Sequence, residues 1–378
     1  MRRKTLALVA AGAGTVLALA ACGNNSGGGA AGGSSNGASA GGGPKVGVIL
    51  PDTKSSARWE SFDKPLLQQA MQAAGVDADI QNAQGDPQKF ATLADGMIQR
   101  GVKVLMIVNL SSEGGAAVEK KAQAAGIPTI DYDRLTLGGT ADYYVSFDNV
   151  KVGHLQGQGL VDCLSAKNAP KGANIIEIEG SPTDNNATLF HQGQEQVLKP
   201  KYDSGDYKLV QSQPVDQWDN QKGGQLFEQI LTSNGGKVDG VVAANDGLSL
   251  AVITVLQKNG LNGKVPVTGQ DATVDGLKAL LRGDQCVNVF KPIKQEAEAA
   301  AKIAIALAKG DRSAADQVAK ASSHDPQGNR DVKSVLLDPI MIKKQDVKQV
   351  IDSGEVKASD VCSGDVAQLC QAAGIPAS

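Results

Sequence analysis

From Lys45 onward, short uninterrupted apolar runs alternate with stretches of helical periodicity. The runs "KVGVIL", "VKVLMIV" and "IPTIDYD" have the composition of buried strands, and a stretch such as "FDKPLLQQAMQAAGV" between two strands has a helical pattern. A further stretch, "DPQKFATLADGMIQRG", predicts a helix that begins after Asp86 as its cap. Continuous apolar strands separated by helices are typical of a parallel sheet covered on both faces.

A second series of the same kind begins near Asn149. Its strands are predicted at "ANIIEIEG", "YKLVQSQPV", "VDGVVAAND", "VPVTGQDA" and "QCVNVFK". After Lys291 a long helical stretch leads to a polar loop and a late strand, "VKSVLLDPIMI". The two series predict the α/β class, with two doubly wound parallel-sheet lobes joined by a multi-strand hinge.

The chain is predicted to cross between the lobes near Asp148, Lys291 and Leu336. The predicted domains are a signal peptide (1–21), a tether (22–44), an N-terminal lobe (45–148 plus 291–330), a C-terminal lobe (149–290 plus 331–351) and a C-terminal tail (352–378).

The first residues have the pattern of a secretory signal: a charged start, an apolar middle and small residues before Cys22. The last four, "LAAC", resemble the lipobox of bacterial lipoproteins, which implies cleavage before Cys22 and lipidation of that cysteine. The alternative is an ordinary secretion signal that happens to end at a cysteine. The following Gly/Ser-rich stretch predicts a flexible tether. The expected location is therefore outside the cell, with the protein lipid-anchored on the outer face of the cytoplasmic membrane.

Length, charge and cysteine content limit the number of domains and the kinds of partner. About 330 residues follow the tether, enough for two domains, and a net charge of -3 gives no electrostatic reason to expect nucleic-acid binding. Beyond Cys22 the chain has four cysteines, an even number that suggests disulfides in an exported protein. They are Cys163, Cys286, Cys362 and Cys370.

Three pairings of these cysteines are possible. One of them closes a small loop between Cys362 and Cys370 and leaves Cys163 with Cys286. No metal site is expected, because there is no CxxC spacing and the histidines are scattered.

Polar and aromatic side chains collect where the predicted strands end, which in open parallel sheets is where ligands bind. They are Arg58, Trp59, Asp133, Arg134, Asp184, Asn185, Asn186, Trp218, Asn245, Asp246, Gln270, Asp271 and Lys291. Carboxylates accept hydrogen bonds from hydroxyl groups, cations and amides donate them, and an indole covers the C–H face of a sugar ring. The set favours a neutral polyol. No GxGxxG fingerprint follows the first strand, so no nucleotide or other cofactor is expected.

The stretches "SARWESF", "IDYDR", "GSPTDNNATLF", "VVAANDG", "GLNGKVPVTGQDA" and "VFKPI" resemble the sugar-binding proteins of ABC importers. These belong to the ribose/galactose type of periplasmic binding protein, and the resemblance is strongest to the xylose-binding proteins. It implies that sugar is contacted by Arg58, Trp59, Asp133, Arg134, Asn186, Trp218, Asn245, Asp271 and Lys291. Trp59 and Trp218 would then stack on opposite faces of the ring, and Asp184 would orient its neighbours.

The same resemblance implies a non-enzymatic, monomeric protein that closes around a monosaccharide and presents it to a membrane permease. Xylose is the favoured ligand, with glucose, ribose, arabinose and galactose as alternatives. A sugar hydrolase is disfavoured because no carboxylic acid with a raised pKa is evident. A transcription regulator would need a DNA-binding helix-turn-helix where the signal and tether lie. The sequence also allows a third alternative, a sensor that presents sugar to a membrane receptor.

Overall fold

The computed structural model describes residues 45–376. The predicted signal peptide, the tether and Cys22 lie outside the described residues. Within 45–376, no helix is both long and apolar enough to cross a membrane.

The described chain alternates strands with helices throughout. The strands are β1 (Lys45–Leu50), β2 (Asp77–Asn82), β3 (Val104–Ile107), β4 (Thr129–Tyr132), β5 (Tyr143–Phe147), β6 (Ala173–Glu179), β7 (Tyr207–Pro214), β8 (Gly240–Ala243), β9 (Thr268–Gln270), β10 (Val287–Phe290), β11 (Ala321–Asp325), β12 (Arg330–Leu337) and β13 (Ile340–Ile342). The α-helices are α1 (Lys64–Ala73), α2 (Pro87–Gln99), α3 (Ser112–Ala124), α4 (Asn149–Ala166), α5 (Asn185–Asp203), α6 (Asn220–Ser233), α7 (Asp246–Lys258), α8 (Val274–Arg282), α9 (Ile293–Ala308), α10 (Arg312–Val318), α11 (Val347–Asp352), α12 (Ala358–Val361) and α13 (Ala367–Ala372). A π-helical turn (Trp59–Asp63) precedes α1, and short 3₁₀ turns lie at Asp216–Trp218, Lys344–Asp346 and Gly364–Val366.

The first lobe is built on a seven-stranded sheet in the order β11-β12-β5-β4-β3-β1-β2. All its pairings are parallel except β11 with β12. Val46 and Val48 of β1 face a core shared with α1 and α9, whereas Ile49 faces a core shared with α2 and α3. Both faces of the sheet are therefore covered, as the uninterrupted apolar runs predict.

The second lobe contains two three-stranded sheets, β7-β6-β8 and β13-β10-β9, which a single bridge between Val241 and Val267 connects. One face packs on α6 and α7, and the other on α4 and α5. Helices α4 and α5 approach very closely. A Cβ atom on Gly153 would lie 1.8 Å from the Phe190 carbonyl oxygen, and one on Gly193 would lie 2.0 Å from the Val150 carbonyl oxygen. Glycine at both positions lets α4 hold α5 tightly against the sheet.

The chain passes from one lobe to the other after β5, after β10 and between β12 and β13. The boundary predicted at residue 330 differs from the structure, because β12 begins there and pairs in parallel with β5 of the first sheet. The predicted strand "VKSVLLDPIMI" is in fact two strands. Pro339 cannot donate a backbone hydrogen bond, and the chain leaves one sheet for the other at Asp338 and Pro339.

The residues predicted as a C-terminal tail are folded as far as Pro376. Val361, Val366 and Ile375 are buried against Leu277 and Leu280 of α8, so this segment covers the outer side of the second lobe.

Two disulfides are present in the described chain. One joins Cys362 to Cys370, and the other joins Cys163 of α4 to Cys286, just before β10. Of the three pairings that the sequence allows, this one is confirmed.

Candidate functional site

The ends of the strands of both lobes meet around a small cavity of about 30 Å³. Its walls are formed by Ser55, Ser56, Asp133, Arg134, Asp184, Asn186, Phe190, Trp218, Asn245, Gln270, Asp271 and Lys291. Seven of the nine residues predicted to contact ligand are in this set. The other two, Arg58 and Trp59, lie behind the wall in the first lobe.

Three of the wall residues have a left-handed backbone. The φ angles are 63° at Asp133, which follows β4, 91° at Asp271, which follows β9, and 54° at Trp218, in the 3₁₀ turn after β7. Such conformations cost roughly 1–3 kcal/mol for residues other than glycine and concentrate at functional sites. Here they turn the side chains that follow the strands into the space between the lobes.

Asp133 is a buried, ionised acceptor at the centre of the wall. Its Oδ2 accepts a hydrogen bond from Nη1 of Arg58 over 2.8 Å, and its Oδ1 accepts one from the Asn186 amide over 3.2 Å. Burial alone would raise the pKa of the Asp133 carboxyl, but the cations of Arg58, Lys291 and Arg134 outweigh burial and hold it below its ordinary value. Asp133 is therefore charged at neutral pH.

Asp271 is the corresponding acceptor from the second lobe. Its carboxylate accepts from the Ser56 hydroxyl over 2.9 Å and lies 3.1 Å from Nζ of Lys291. Burial opposes ionisation here too, yet Lys291 and Arg58 lower the pKa of Asp271 below its ordinary value. Lys291 also lies 3.9 Å from Asp133, so one cation bridges the two carboxylates. An ionised carboxylate has four lone-pair positions, so both acids have capacity left for hydroxyl groups.

Direct contacts between the lobes close the cavity. Nε of Arg134 lies 2.9 Å from Asp184, and the Asn245 amide donates to the Ser55 carbonyl over 3.0 Å. The Asn186 amide also donates to the Asp133 carbonyl over 2.9 Å. A cavity of this size holds about two water molecules, so a larger ligand requires the lobes to part. A larger cleft of about 390 Å³ shares Arg134 and Trp218 with the cavity.

The two tryptophans occupy different environments, one in the cavity wall and one in the first-lobe core. Trp218 lines the cavity, donates from Nε1 to Asp184 over 3.0 Å, and packs edge-on against Phe190 at 6.4 Å between ring centres. Trp59 is 3% exposed, belongs to the first-lobe core, and lies beneath the guanidinium groups of Arg58 and Arg134. Stacking of a ring between facing indoles stays a prediction, and in this structure Trp218 alone of the two tryptophans lines the cavity.

Arg58 is surrounded by acids of its own lobe. Its guanidinium donates to Asp63 over 2.7 and 2.9 Å, to Glu296 over 2.5 Å and to Asp133 over 2.8 Å. The Tyr132 hydroxyl donates to the same Asp63 over 2.5 Å. Arg58 therefore orients Asp133 from behind, and four of its five N–H donors are engaged by acids of its own lobe.

Five wall residues were not among the predicted ligand contacts, and one of them, Asp184, was expected to orient its neighbours. Phe190 stands four residues after Asn186 in α5, so helical spacing places both on one face. Gln270 directly precedes Asp271, and Ser55 and Ser56 lie in the loop after β1. Helical spacing could have revealed Phe190. Serines in a polar loop carry no comparable signal.

Comparisons with known proteins show the family to which the chain belongs. Residues 46–312 match the family model described as periplasmic binding protein domain. The D-xylose-binding periplasmic protein of Escherichia coli K12 is 38% identical over 318 residues, which covers 84% of this chain and 92% of that protein. The multiple sugar-binding periplasmic receptor ChvE of Rhizobium radiobacter is 34% identical, covering 83% and 91%. A carbohydrate transporter solute binding protein from Chloroflexus aurantiacus, solved with D-glucose, superposes with a TM-score of 0.75 at 29% identity, covering 83% and 97%.

Proposed function

The chain belongs to the periplasmic binding protein family, and from this premise we propose that it captures a monosaccharide between its two lobes and delivers it to the permease of an ABC importer. Members of this family are exported transport proteins rather than enzymes, so the cavity is a site of capture and release. Ligand that contacts both lobes stabilises the closed form relative to the open one, and a permease that recognises the closed form then receives loaded protein.

The observation that carries the proposal is the composition of the cavity wall. Ionised Asp133 and Asp271, from opposite lobes, share Lys291, while Asn245 and Trp218 complete the wall. Acceptors, donors and the aromatic side chains of Trp218 and Phe190 suit a ring that bears several hydroxyl groups and no charge.

Xylose is the proposed sugar. Two relatives named as D-xylose-binding periplasmic proteins are 38% and 36% identical to the chain over more than four fifths of its length. Glucose is the second candidate, because two similar solved structures at 28% and 29% identity contain it. The relative named as a multiple sugar-binding receptor supports a further alternative, in which the protein presents sugar to a membrane receptor.

Titration calorimetry with a panel of aldopentoses and aldohexoses tests the proposal. We expect saturable binding of an aldopyranose, with the highest affinity for xylose. Asp271→Ala and Trp218→Ala should each weaken binding by about 100-fold or more, because each removes a buried partner of the sugar. The matched control is Asp275→Ala on the exposed first turn of α8, which should bind as the unaltered protein does. Unchanged affinity in both cavity variants would remove the site from this cavity.

We also propose that the monomeric protein is held at the outer face of the cytoplasmic membrane by lipid on Cys22. Stable anchoring needs more than one acyl chain, which lipoprotein maturation supplies. Cells grown with a labelled fatty acid should incorporate label into the protein, and Cys22→Ala should abolish the label. Label retained in the variant would contradict the anchor, whatever the outcome of the sugar titration.

A further inference from the structure

On the side of β6 that faces α5, the second lobe contains a cluster of carboxylate and imidazole side chains that are not part of the cavity wall. Glu177 and Glu179 are two residues apart in β6, so both point to the same face of the sheet. His191 reaches them from α5. One ligand atom from each of the three residues lies within 4.8 Å of the others.

Two atoms of this cluster are buried without a hydrogen-bond partner in the described chain: Oε2 of Glu177 and Nδ1 of His191. Glu177 is 1% exposed, and its other oxygen accepts from the Tyr202 hydroxyl over 2.6 Å. The Ser212 hydroxyl is a further polar neighbour of Glu177. Leaving a buried polar atom unpaired is costly, so these two atoms indicate a missing partner.

The cluster also lacks a lysine or arginine partner. In the sugar cavity each carboxylate is matched by arginine or lysine, but here neither glutamate forms an ion pair with any lysine or arginine among residues 45–376. The ion-pair partner of Glu179 is His191, whose Nδ1 lies 3.6 Å from Oε1 of Glu179, too far for a hydrogen bond. Two ligand atoms of one tetrahedral zinc ion, each bonded at about 2.1 Å, lie about 3.4 Å apart. The spacing therefore suits two ligands of one metal ion.

We propose that Glu177, Glu179 and His191 bind a divalent transition-metal ion, with Zn²⁺ as the ion they suit best. Imidazole together with carboxylates favours zinc and its neighbours over Ca²⁺ and Mg²⁺, which prefer oxygen ligands alone. The His191 side chain is 40% exposed, which opens one side of the cluster to solvent for entry of the ion and for a water ligand. The Gln194 amide lies 2.6 Å from Oε1 of Glu179 and donates to it when its nitrogen faces the carboxylate.

The position of this cluster gives the ion a structural effect. Helix α5 presents Asn186 and Phe190 to the sugar cavity, and His191 is the next residue in the chain. A metal that joins His191 to β6 fixes α5 on its sheet and stabilises the second lobe. This proposal does not depend on which sugar the protein binds.

The test uses the full mature protein, freed of metal with EDTA and then dialysed. Calorimetric titration with ZnCl₂ should show one saturable site per chain, and Zn²⁺ should raise the melting temperature. His191→Ala should weaken zinc binding by about 100-fold, because one of the three side chains that bind the ion directly is lost. The circular dichroism spectrum should stay unchanged, because His191 is half-exposed on a helix. Glu179→Gln should also weaken zinc binding, and Ca²⁺ should bind the unaltered protein far less tightly than Zn²⁺ does.

The matched control is His324→Ala, which removes an exposed histidine that lies 2.9 Å from Asp331 in the other lobe. Its zinc affinity should equal that of the unaltered protein. The proposal is overturned if the unaltered protein shows no saturable zinc site, if His191→Ala binds zinc as tightly as the unaltered protein, or if His324→Ala loses the site instead. A crystal soaked in ZnCl₂ should give an anomalous peak bonded to Glu177, Glu179 and His191.

Discussion

At the scale of single residues, the site depends on side chains whose backbone is held in an unfavourable region. Asp133 and Trp218 both have a positive φ, which is costly for any residue with a Cβ atom. The backbone of Asp133 is held by a hydrogen bond from its N–H to the Val145 carbonyl over 2.7 Å, and its own carbonyl accepts from Ser146 and Asn186. The fold around these residues therefore supplies the free energy that their conformations cost.

Replacing Arg58 tests whether this residue positions Asp133 or contacts the ligand directly. Arg58→Ala should lower the free energy of unfolding by about 3–5 kcal/mol, because it leaves the carboxylates of Asp63, Asp133 and Glu296 buried without their shared cation. Urea unfolding followed by circular dichroism measures the difference.

The control for this prediction is Arg100→Ala, which breaks a largely exposed pair with Asp79 and should cost less than about 1 kcal/mol. A variant Arg58→Ala that unfolds like the unaltered protein but binds sugar much more weakly would instead make Arg58 a direct ligand.

The sequence located most of the site residues but could not assign each its role. Asp133, Asp271 and Lys291 line the cavity, and the sequence points to them because a strand end is visible as the point where an apolar run stops. Arg58 and Trp59 stand in an equally suggestive loop. Arg58 is buried against Asp63 and Glu296, and Glu296 is more than two hundred residues away in the chain. Local pattern contains no information on such a distant pairing.

At the scale of elements, helices and strands with strong periodicity were predicted well. Helix α2 begins after Asp86, whose side chain accepts from the backbone N–H groups of Gln88 and Lys89, as the capping pattern predicts. The polar loop expected after the long helix α9 instead contains helix α10 and strand β11. Strand β11 pairs antiparallel with β12. Its residues are largely polar and exposed because it is an edge strand, so the apolar run that usually marks a strand is missing.

The packing of α3 on β4 creates a buried carboxyl pair with a predictable pH dependence. Burial raises the pKa of Asp131 well above its ordinary value, and the neighbouring Glu119 carboxyl raises it further; burial also raises the pKa of Glu119. The folded pair therefore keeps a proton that the unfolded chain releases above about pH 4. The free energy of unfolding consequently falls as the pH rises from about 4 toward the raised pKa values.

We expect Asp131→Asn to flatten this dependence, by up to about 1.4 kcal/mol per pH unit, because it removes one of the two titrating groups. Urea unfolding at pH 5 and pH 8 measures the slope. Asp95→Asn, at an exposed position of α2 paired with Lys121, should keep the original slope. Equal slopes in Asp131→Asn and the unaltered protein would show that the pair holds no extra proton.

At the scale of the whole molecule, two lobes of separate sheets meet at one cavity and are joined by three passages of chain. The alternation of strands and helices was enough to predict both lobes. It could not predict how closely they approach, because contacts such as Asn245 with Ser55 are made between loops about 190 residues apart.

The two-lobe architecture predicts that the lobes close on each other when sugar binds between them. The cavity of about 30 Å³ cannot admit a sugar unless the lobes move apart, so the unliganded protein in solution should sample wider forms. Small-angle X-ray scattering should show a smaller radius of gyration at saturating sugar than without it. Asp271→Ala, which loses the Lys291 and Ser56 contacts, should show no such decrease at the same sugar concentration. An unchanged radius in the unaltered protein, at a concentration where calorimetry shows saturation, would contradict the hinge mechanism.

The late position of β12 in the chain has a consequence for biogenesis. An exported chain crosses the membrane from its amino end. In the first lobe, β5 pairs with β12, which ends only at Leu337. In the second lobe, β10 pairs with β13, which follows β12 in the chain. Neither sheet can be completed until almost the entire polypeptide has crossed the membrane. A copy whose synthesis stops early leaves unpaired strand backbone open to proteases and to aggregation.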